Sequence, residues 1–115
     1  MHAVARLALQ GLVDNIQVSW VKLGAEGAKA CLRAGCNDLG GTLMNESISR
    51  SAGASHGQKM SPAAMEELIR SMGRSPRMRT TLYETAPAER RLAAHGAEPL
   101  REREPGTLVR LRPRA

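Results

Sequence analysis

Residue types that can do chemistry are concentrated just after the glycine pair Gly40 and Gly41. A short apolar run that ends in such a bend and opens into a polar loop is how α/β enzymes present ligand contacts. In that loop His56 could transfer protons near neutral pH, and Asn45 and Glu46 could orient a polar substrate. The alternative for Asn45 and Glu46 is the capping of a short helix, and for His56 a hydrogen bond that orders the loop.

The glycine bend is itself a candidate ligand contact. The N–H groups of Gly40 and Gly41 could bind a carboxylate or phosphate, although a glycine bend at a barrel rim would look the same. Thr42, Arg79 and Thr81 are weaker candidates, because only their positions on predicted strands point to them. Ser47 and Ser49 lack the Gly-x-Ser-x-Gly setting of a hydrolase nucleophile, so a serine hydrolase is not expected.

Residues Asn15–Val21 alternate strictly between two sides. One side of the predicted strand carries Ile16, Val18 and Trp20, and the other carries Gln17, Ser19 and Val21. The polar side would face water in a half-buried strand, or a substrate inside a barrel, and the alternation fits both.

The elements around these residues follow an α–β–α–β–α–β order, which favours parallel strands joined by helices. Helices are predicted at His2–Gln10 and Ala25–Ala34, and from Ser61-Pro62 to Gly73. Strands are predicted at Asn15–Val21, Asp38–Leu43 and Thr80–Tyr83. The long loop runs from Met44 to Met60, and a helix over Ala88–His95 falls in the last segment.

Length and composition limit what the chain can be. A (β/α)8 barrel needs about 250 residues, and this chain has 115, with no Phe, one Trp and one Tyr. The net charge of +6 is spread out and lacks interleaved aromatic residues, so a nucleic-acid site is not expected. We divide the chain into a domain at 1–84 and a Pro/Arg-rich peripheral tail at 85–115.

Cys31 and Cys36 lack the second pair of ligands that a zinc site needs, which predicts small buried thiols in a reducing cytosol. No secretory signal and no membrane-spanning run are visible, so a cytoplasmic location without membrane contact is expected.

Three blocks in order resemble the C-terminal portion of FO synthase, a radical-SAM family of deazaflavin coenzyme biosynthesis, and especially its tyrosine-handling half. The blocks are NIQVSWVKLG (15–24), NDLGGTLMNESISRSAGASHG (37–57) and RMRTTLYE (77–84). The family's CxxxCxxC loop, which holds a 4Fe-4S cluster, is absent from this chain. The resemblance implies the closing arc of a partial (β/α)8 barrel, with about three parallel strands and their helices.

The resemblance also implies an activity for a longer parent enzyme. Its 4Fe-4S cluster and S-adenosyl-L-methionine would generate a radical that acts on tyrosine, and a 4-hydroxybenzyl group would be joined to 5-amino-6-(D-ribitylamino)uracil. The cluster ligands would lie outside this chain, and the remainder of the barrel would be its partner. His56 and Glu46 are then the expected catalytic residues. The expected substrate-binding residues are Gln17, Ser19, Gly40, Gly41, Thr42 and Asn45.

Other classes stay open at this stage. A radical-SAM enzyme of menaquinone biosynthesis has a similar LGGT strand, although the run MNESISRSAGASHG fits it less well. A non-catalytic small α/β binding module would show no cluster-dependent activity. A truncated reading frame would give an unstable chain with an unpaired edge strand.

Overall fold

The computed structural model describes residues 1–42 and 59–98, in which helices are the main regular elements. The four helices of these ranges are α1 His2–Ala8, α2 Trp20–Arg33, α3 Pro62–Arg70 and α4 Ala88–Gly96.

Helix α3 begins where the sequence predicts and ends at Arg70, three residues before the predicted stop at Gly73. Ser61 is its N-cap and accepts a hydrogen bond at Oγ from the Ala64 N–H at 3.2 Å, and Pro62 takes the first position. A turn follows the helix and closes at Gly73, whose φ of +71° is easily reached only by glycine. Local capping chemistry therefore sets both ends of this helix.

Helix α2 contains a kink that was not predicted from the sequence. Gly24 has a φ of +68°, so the first turn, which starts at Trp20, is set off from the regular helix that follows. The predicted helix at Ala25–Ala34 is confirmed, but the strand predicted to reach Val21 is wrong at its end. Ser19 is the N-cap, and its carbonyl accepts hydrogen bonds from two N–H groups of the first turn at 3.2 and 3.3 Å.

A short parallel pair joins residues 16–18 to residues 37–39. Gln17 and Asp38 are the bridged residues. The Val18 N–H donates to the Asp38 carbonyl at 2.8 Å, and the Asn37 N–H donates to the Ile16 carbonyl at 3.1 Å. Within residues 15–21 and 38–42, the first two predicted strands are therefore reduced to this one bridge, which is parallel, and helix α2 connects its two sides.

The third predicted strand, Thr80–Tyr83, is not formed. These residues lie in a turn that is closed by an antiparallel bridge between Arg79 and Thr85. The Thr80 hydroxyl accepts hydrogen bonds from the N–H groups of Leu82 and Glu84, and Tyr83 has a φ of +64°. A hydroxyl that binds the nearby backbone competes with strand formation, and this local effect overrides the strand propensity of the run.

The core lies on one side of the parallel pair, between the pair and helices α2 and α3. Its buried members are Val18, Trp20, Ala28, Leu32, Cys36, Leu39 and Leu68. These apolar contacts hold helices α2 and α3 against one side of the parallel pair.

Helix α1 is attached by polar contacts, since none of its residues is buried. Arg6 donates from Nε to the Gly35 carbonyl at 2.8 Å and from Nη2 to Asn37 Oδ1 at 3.0 Å. The apolar side chains of Val4 and Leu7 remain 65% and 75% exposed. This helix therefore presents apolar surface outward.

Within residues 1–42 and 59–98, the structure contains no helix long and apolar enough to cross a membrane.

Candidate functional site

The parallel pair has a polar face on the side away from the helices. Successive side chains of a strand point to opposite faces, and Val18 and Leu39 are both in the core. Their neighbours Gln17 and Asp38 are therefore on the other face. Together with the adjoining Gly40–Gly41 bend and Arg79, we call this surface the polar face. The side chain of Gln17 is exposed and points away from the helices, which fits both sequence interpretations, a water-facing side chain and a substrate-facing one.

Gln17 and Gly40 are in direct contact at this face. Gly40 has a φ of +76°, and a Cβ atom at this position would lie 2.6 Å from Gln17 Nε2. Only glycine allows the amide of Gln17 to approach the backbone so closely. The two predicted substrate-binding residues are thus brought together.

The bend is held from two sides. The Gly40 N–H donates to Asp38 Oδ1 at 2.8 Å, and the Gly41 carbonyl accepts a hydrogen bond from Trp20 Nε1 at 3.1 Å. The Gly40 N–H therefore stabilises the bend, and its hydrogen bond to Asp38 occupies the donor that an anionic ligand would need. Trp20 is 3% exposed, so its ring packs in the core and does not form a wall against a ligand.

Asp38 also forms an ion pair across the chain. Arg79 donates to Asp38 Oδ2 from Nε at 3.0 Å and from Nη2 at 2.5 Å. The hydrogen bond to Asp38 raises the pKa of Arg79 above its ordinary value, although burial works in the opposite direction. The guanidinium carbon lies 4.3 Å from the centre of the Tyr83 ring, within cation–π range.

The other predicted residues are less well connected. Ser19 and Thr42 are exposed, and the Ser19 side chain makes no capping hydrogen bond. Asn45, Glu46 and His56 lie outside the described residues. Asp38 was not predicted, although an acidic residue two positions before a glycine is a turn signal that could have pointed to it.

This arrangement suits the orientation of a polar ligand. Gln17 offers an amide that can donate and accept, and the bend offers close backbone approach. The ionic groups Asp38 and Arg79 are engaged with each other. The described residues could therefore bind and orient a polar ligand.

The cysteines do not provide a cluster site. The whole chain has two of them, fewer than the three thiols of a CxxxCxxC loop. Burial raises the pKa of Cys36, and nearby Cys31 raises it further against an opposite effect of Arg6. Cys31 Sγ lies 3.6 Å from His2 Nδ1. Residues 1–42 and 59–98 contain no group of three or more His, Cys, Asp or Glu side chains that could hold a metal ion.

Comparisons with known proteins place the chain among longer enzymes. It is 57% identical over 84 residues to the 5-amino-6-(D-ribitylamino)uracil–L-tyrosine 4-hydroxyphenyl transferase of Methanopyrus kandleri. The matched segment covers 73% of this chain and 23% of that protein. It is 54% identical over 82 residues to the FO synthase of Nocardia farcinica, covering 71% of this chain and 10% of that protein. A Methanosarcina barkeri transferase 1 of the same name is 46% identical over 109 residues, covering 95% of this chain and 26% of that protein.

The chain thus spans about a quarter or less of the length of these relatives. No solved structure matches it. The family model described as the CofH/MqnC C-terminal region matches residues 1–92, which is most of the chain. On that match and these identities, the chain belongs to the CofH/MqnC C-terminal region family.

Proposed function

We propose that this chain is the C-terminal part of a radical-SAM FO synthase, acting in the cytoplasm. The parent would join a tyrosine-derived 4-hydroxybenzyl group to 5-amino-6-(D-ribitylamino)uracil. The observation that carries the proposal is the polar face, with Gln17 packed on the Gly40–Gly41 bend at the carboxyl end of a parallel pair. The relatives named as the uracil–tyrosine transferase and as FO synthase support this choice over the menaquinone enzymes.

In this proposal the chain forms the closing arc of a (β/α)8 barrel. Helices α2 and α3 cover the core side of the parallel pair, as the outer helices of a barrel do. The polar face would then line the barrel interior, and the rest of the parent would supply the remaining strands. That remainder is the proposed partner, together with the two substrates.

The residues of this chain would bind and orient substrate. Gln17 would hydrogen-bond polar substrate atoms, while Gly40 and Gly41 would let the backbone approach the substrate. Ser19, Thr42 and Asn45 are proposed as further contacts at the same rim. Glu46 and His56, from the segment predicted as a loop, are proposed to serve the proton transfers, because a carboxylate and an imidazole can each accept and donate a proton.

The 4Fe-4S cluster and S-adenosyl-L-methionine belong to the remainder of the parent in this proposal. The residues present do not fit the cluster, because one of the two cysteines is a buried thiol and no third is available.

A chimeric enzyme tests the function. The Methanopyrus kandleri transferase would carry this chain's sequence in place of its matching 84-residue segment. We expect anaerobic turnover of tyrosine and 5-amino-6-(D-ribitylamino)uracil in the presence of S-adenosyl-L-methionine and a reductant. The unaltered transferase and a version lacking the segment are the controls. A chimera that melts cooperatively like the unaltered enzyme but forms no product would contradict the proposal.

A further inference from the structure

Asp38 connects three parts of the chain at the polar face, two through its carboxylate and one through its backbone carbonyl. Asp38 Oδ1 accepts from the Gly40 N–H at 2.8 Å, and Oδ2 accepts from Arg79, which is 41 residues further along. The backbone carbonyl of Asp38 accepts from the Val18 N–H at 2.8 Å. The side chain of Asp38 is 8% exposed, so these hydrogen bonds are largely shielded from water.

We propose that Asp38 and Arg79 are positioning residues that set the conformation of the Gly40–Gly41 bend, an inference that rests on the proposed function for its role in catalysis. Because both carboxylate oxygens are engaged, the carboxylate cannot rotate without breaking a charge-assisted hydrogen bond. The orientation of the Gly40 N–H follows from that of the carboxylate. Gln17, which packs on Gly40, is placed in turn.

Arg79 is itself held in place. Its Nη1 donates to the Thr80 carbonyl at 3.0 Å, and its guanidinium stacks on Tyr83. Tyr83 has a φ of +64°, a conformation that non-glycine residues adopt only where the surroundings impose it. The turn at Thr80–Tyr83 therefore holds the Arg79 side chain at the polar face. The segment that was predicted as a strand thus positions Arg79.

Trp20 reports directly on the bend. It is the chain's single tryptophan, and its indole N–H donates to the Gly41 carbonyl. Hydrogen exchange of this one indole N–H, followed by NMR on the full 115-residue chain, measures how often the bend opens.

Two substitutions separate the contacts of Asp38. Asp38→Asn keeps an oxygen that can accept from the Gly40 N–H, but its NH2 group is a donor and cannot accept from Arg79. Arg79→Met removes the donors of Arg79 and leaves the Asp38 carboxylate unchanged. Each should speed indole exchange about tenfold or more, with the slowest amides of helix α2 unchanged. Arg70→Met is the matched control, because it also removes a guanidinium that is paired with a carboxylate, that of Glu66 on helix α3.

Indole exchange in Arg79→Met that equals that of Arg70→Met would overturn the inference. The inference would also be overturned if the indole N–H of the folded wild-type chain exchanged as fast as that of the chain unfolded in urea. The hydrogen bond from Trp20 to the bend would then give no protection.

The second measurement is turnover by the chimeric transferase. Arg79→Met should lower kcat/KM about tenfold or more, since small misplacements of substrate-positioning groups have effects of this size. Arg79→Lys should recover part of the loss, and the melting temperature should match that of Arg70→Met. Unchanged kcat/KM in Arg79→Met would overturn the inference. If the unsubstituted chimera were inactive while indole exchange behaved as expected, the proposed function would be contradicted. The inference that Asp38 and Arg79 set the conformation of the bend would still be supported.

Discussion

At the scale of single residues, the site depends most on the absence of a side chain at Gly40. Its φ of +76° and the 2.6 Å separation between a would-be Cβ and Gln17 Nε2 are two independent obstacles to any other residue. Its neighbour Gly41 is different, because a Cβ there would meet no atom within 4 Å. The two glycines look alike in the sequence and differ in the structure.

Gly40→Ala should therefore destabilise the chain while Gly41→Ala should not. The left-handed conformation alone costs an alanine about 1–2 kcal/mol, and displacement of Gln17 adds to this. Gly41→Ala is expected to change the free energy of unfolding by no more than about 0.5 kcal/mol. Urea denaturation of both variants measures the difference. Equal stability losses would show that the bend does not have the described conformation.

The sequence predicted part of this site for identifiable reasons. Strict alternation around Val18 separated Gln17 from the core, and the glycine pair marked the bend. The ion pair between Asp38 and Arg79 could not be predicted, because its partners are 41 residues apart and meet only in the folded chain. The roles of Asn45, Glu46 and His56 stay predictions.

At the scale of elements, local signals predicted the helices better than the strands. The start of helix α3 follows from its capping residue Ser61 and from Pro62, which act within a few positions. The Thr80–Tyr83 run was mistaken for a strand because β-propensity depends strongly on tertiary surroundings. Here the Thr80 hydroxyl binds the backbone of the turn, and the ring of Tyr83 stacks on Arg79.

Helices α3 and α4 are joined by an acid-sensitive contact. Glu66 lies 2.8 Å from Arg70 Nη2 and 2.9 Å from His95 Nε2. Burial on its own raises the pKa of Glu66, but the hydrogen bonds of His95 and Arg70 together bring that pKa below its ordinary value. A lowered pKa in the folded state means that the unfolded chain binds the proton more readily.

The stabilisation from Glu66 should accordingly be complete above about pH 4.3, the ordinary glutamate pKa, and disappear as pH falls through the lower folded value. The wild-type chain should lose more stability on acidification than Glu66→Gln, measured as urea midpoints across this range. Glu67→Gln, at an exposed neighbouring position, is the control. Parallel pH curves for wild type and Glu66→Gln would contradict the expected linkage.

At the scale of the whole molecule, helix α1 and the turn after it expose apolar side chains that the core formed by residues 1–42 and 59–98 does not cover. Val4, Leu7 and Leu12 are 65%, 75% and 81% exposed, and helix α1 has no buried residue. Contiguous exposed apolar surface commonly marks a binding interface. Since the chain spans 23% of the Methanopyrus kandleri transferase, we expect the rest of the parent to cover this surface.

Leu7→Lys should distinguish the isolated chain from the complete enzyme. In the 115-residue chain the new charge stays in water, so the free energy of unfolding should change by no more than about 0.5 kcal/mol. In the chimeric transferase the same charge would be buried without a partner, and the melting temperature should fall clearly. A melting temperature equal to that of the unsubstituted chimera would show that the surface is not an interface within the parent.

The claim that the polar face contacts substrate is tested most directly at Gln17 in the chimeric transferase. Gln17→Ala removes an exposed amide from the polar face, and Gln10→Ala makes the same change at an exposed position outside it. Loss of a substrate hydrogen bond that forms in the reaction should lower kcat/KM about 10-fold or more, because a lost contact of 1.4 kcal/mol is tenfold in rate. We predict this loss for Gln17→Ala, with melting temperature and kcat/KM close to the unsubstituted chimera for Gln10→Ala. Equal kcat/KM for the two variants would contradict the assignment of the polar face as the substrate face.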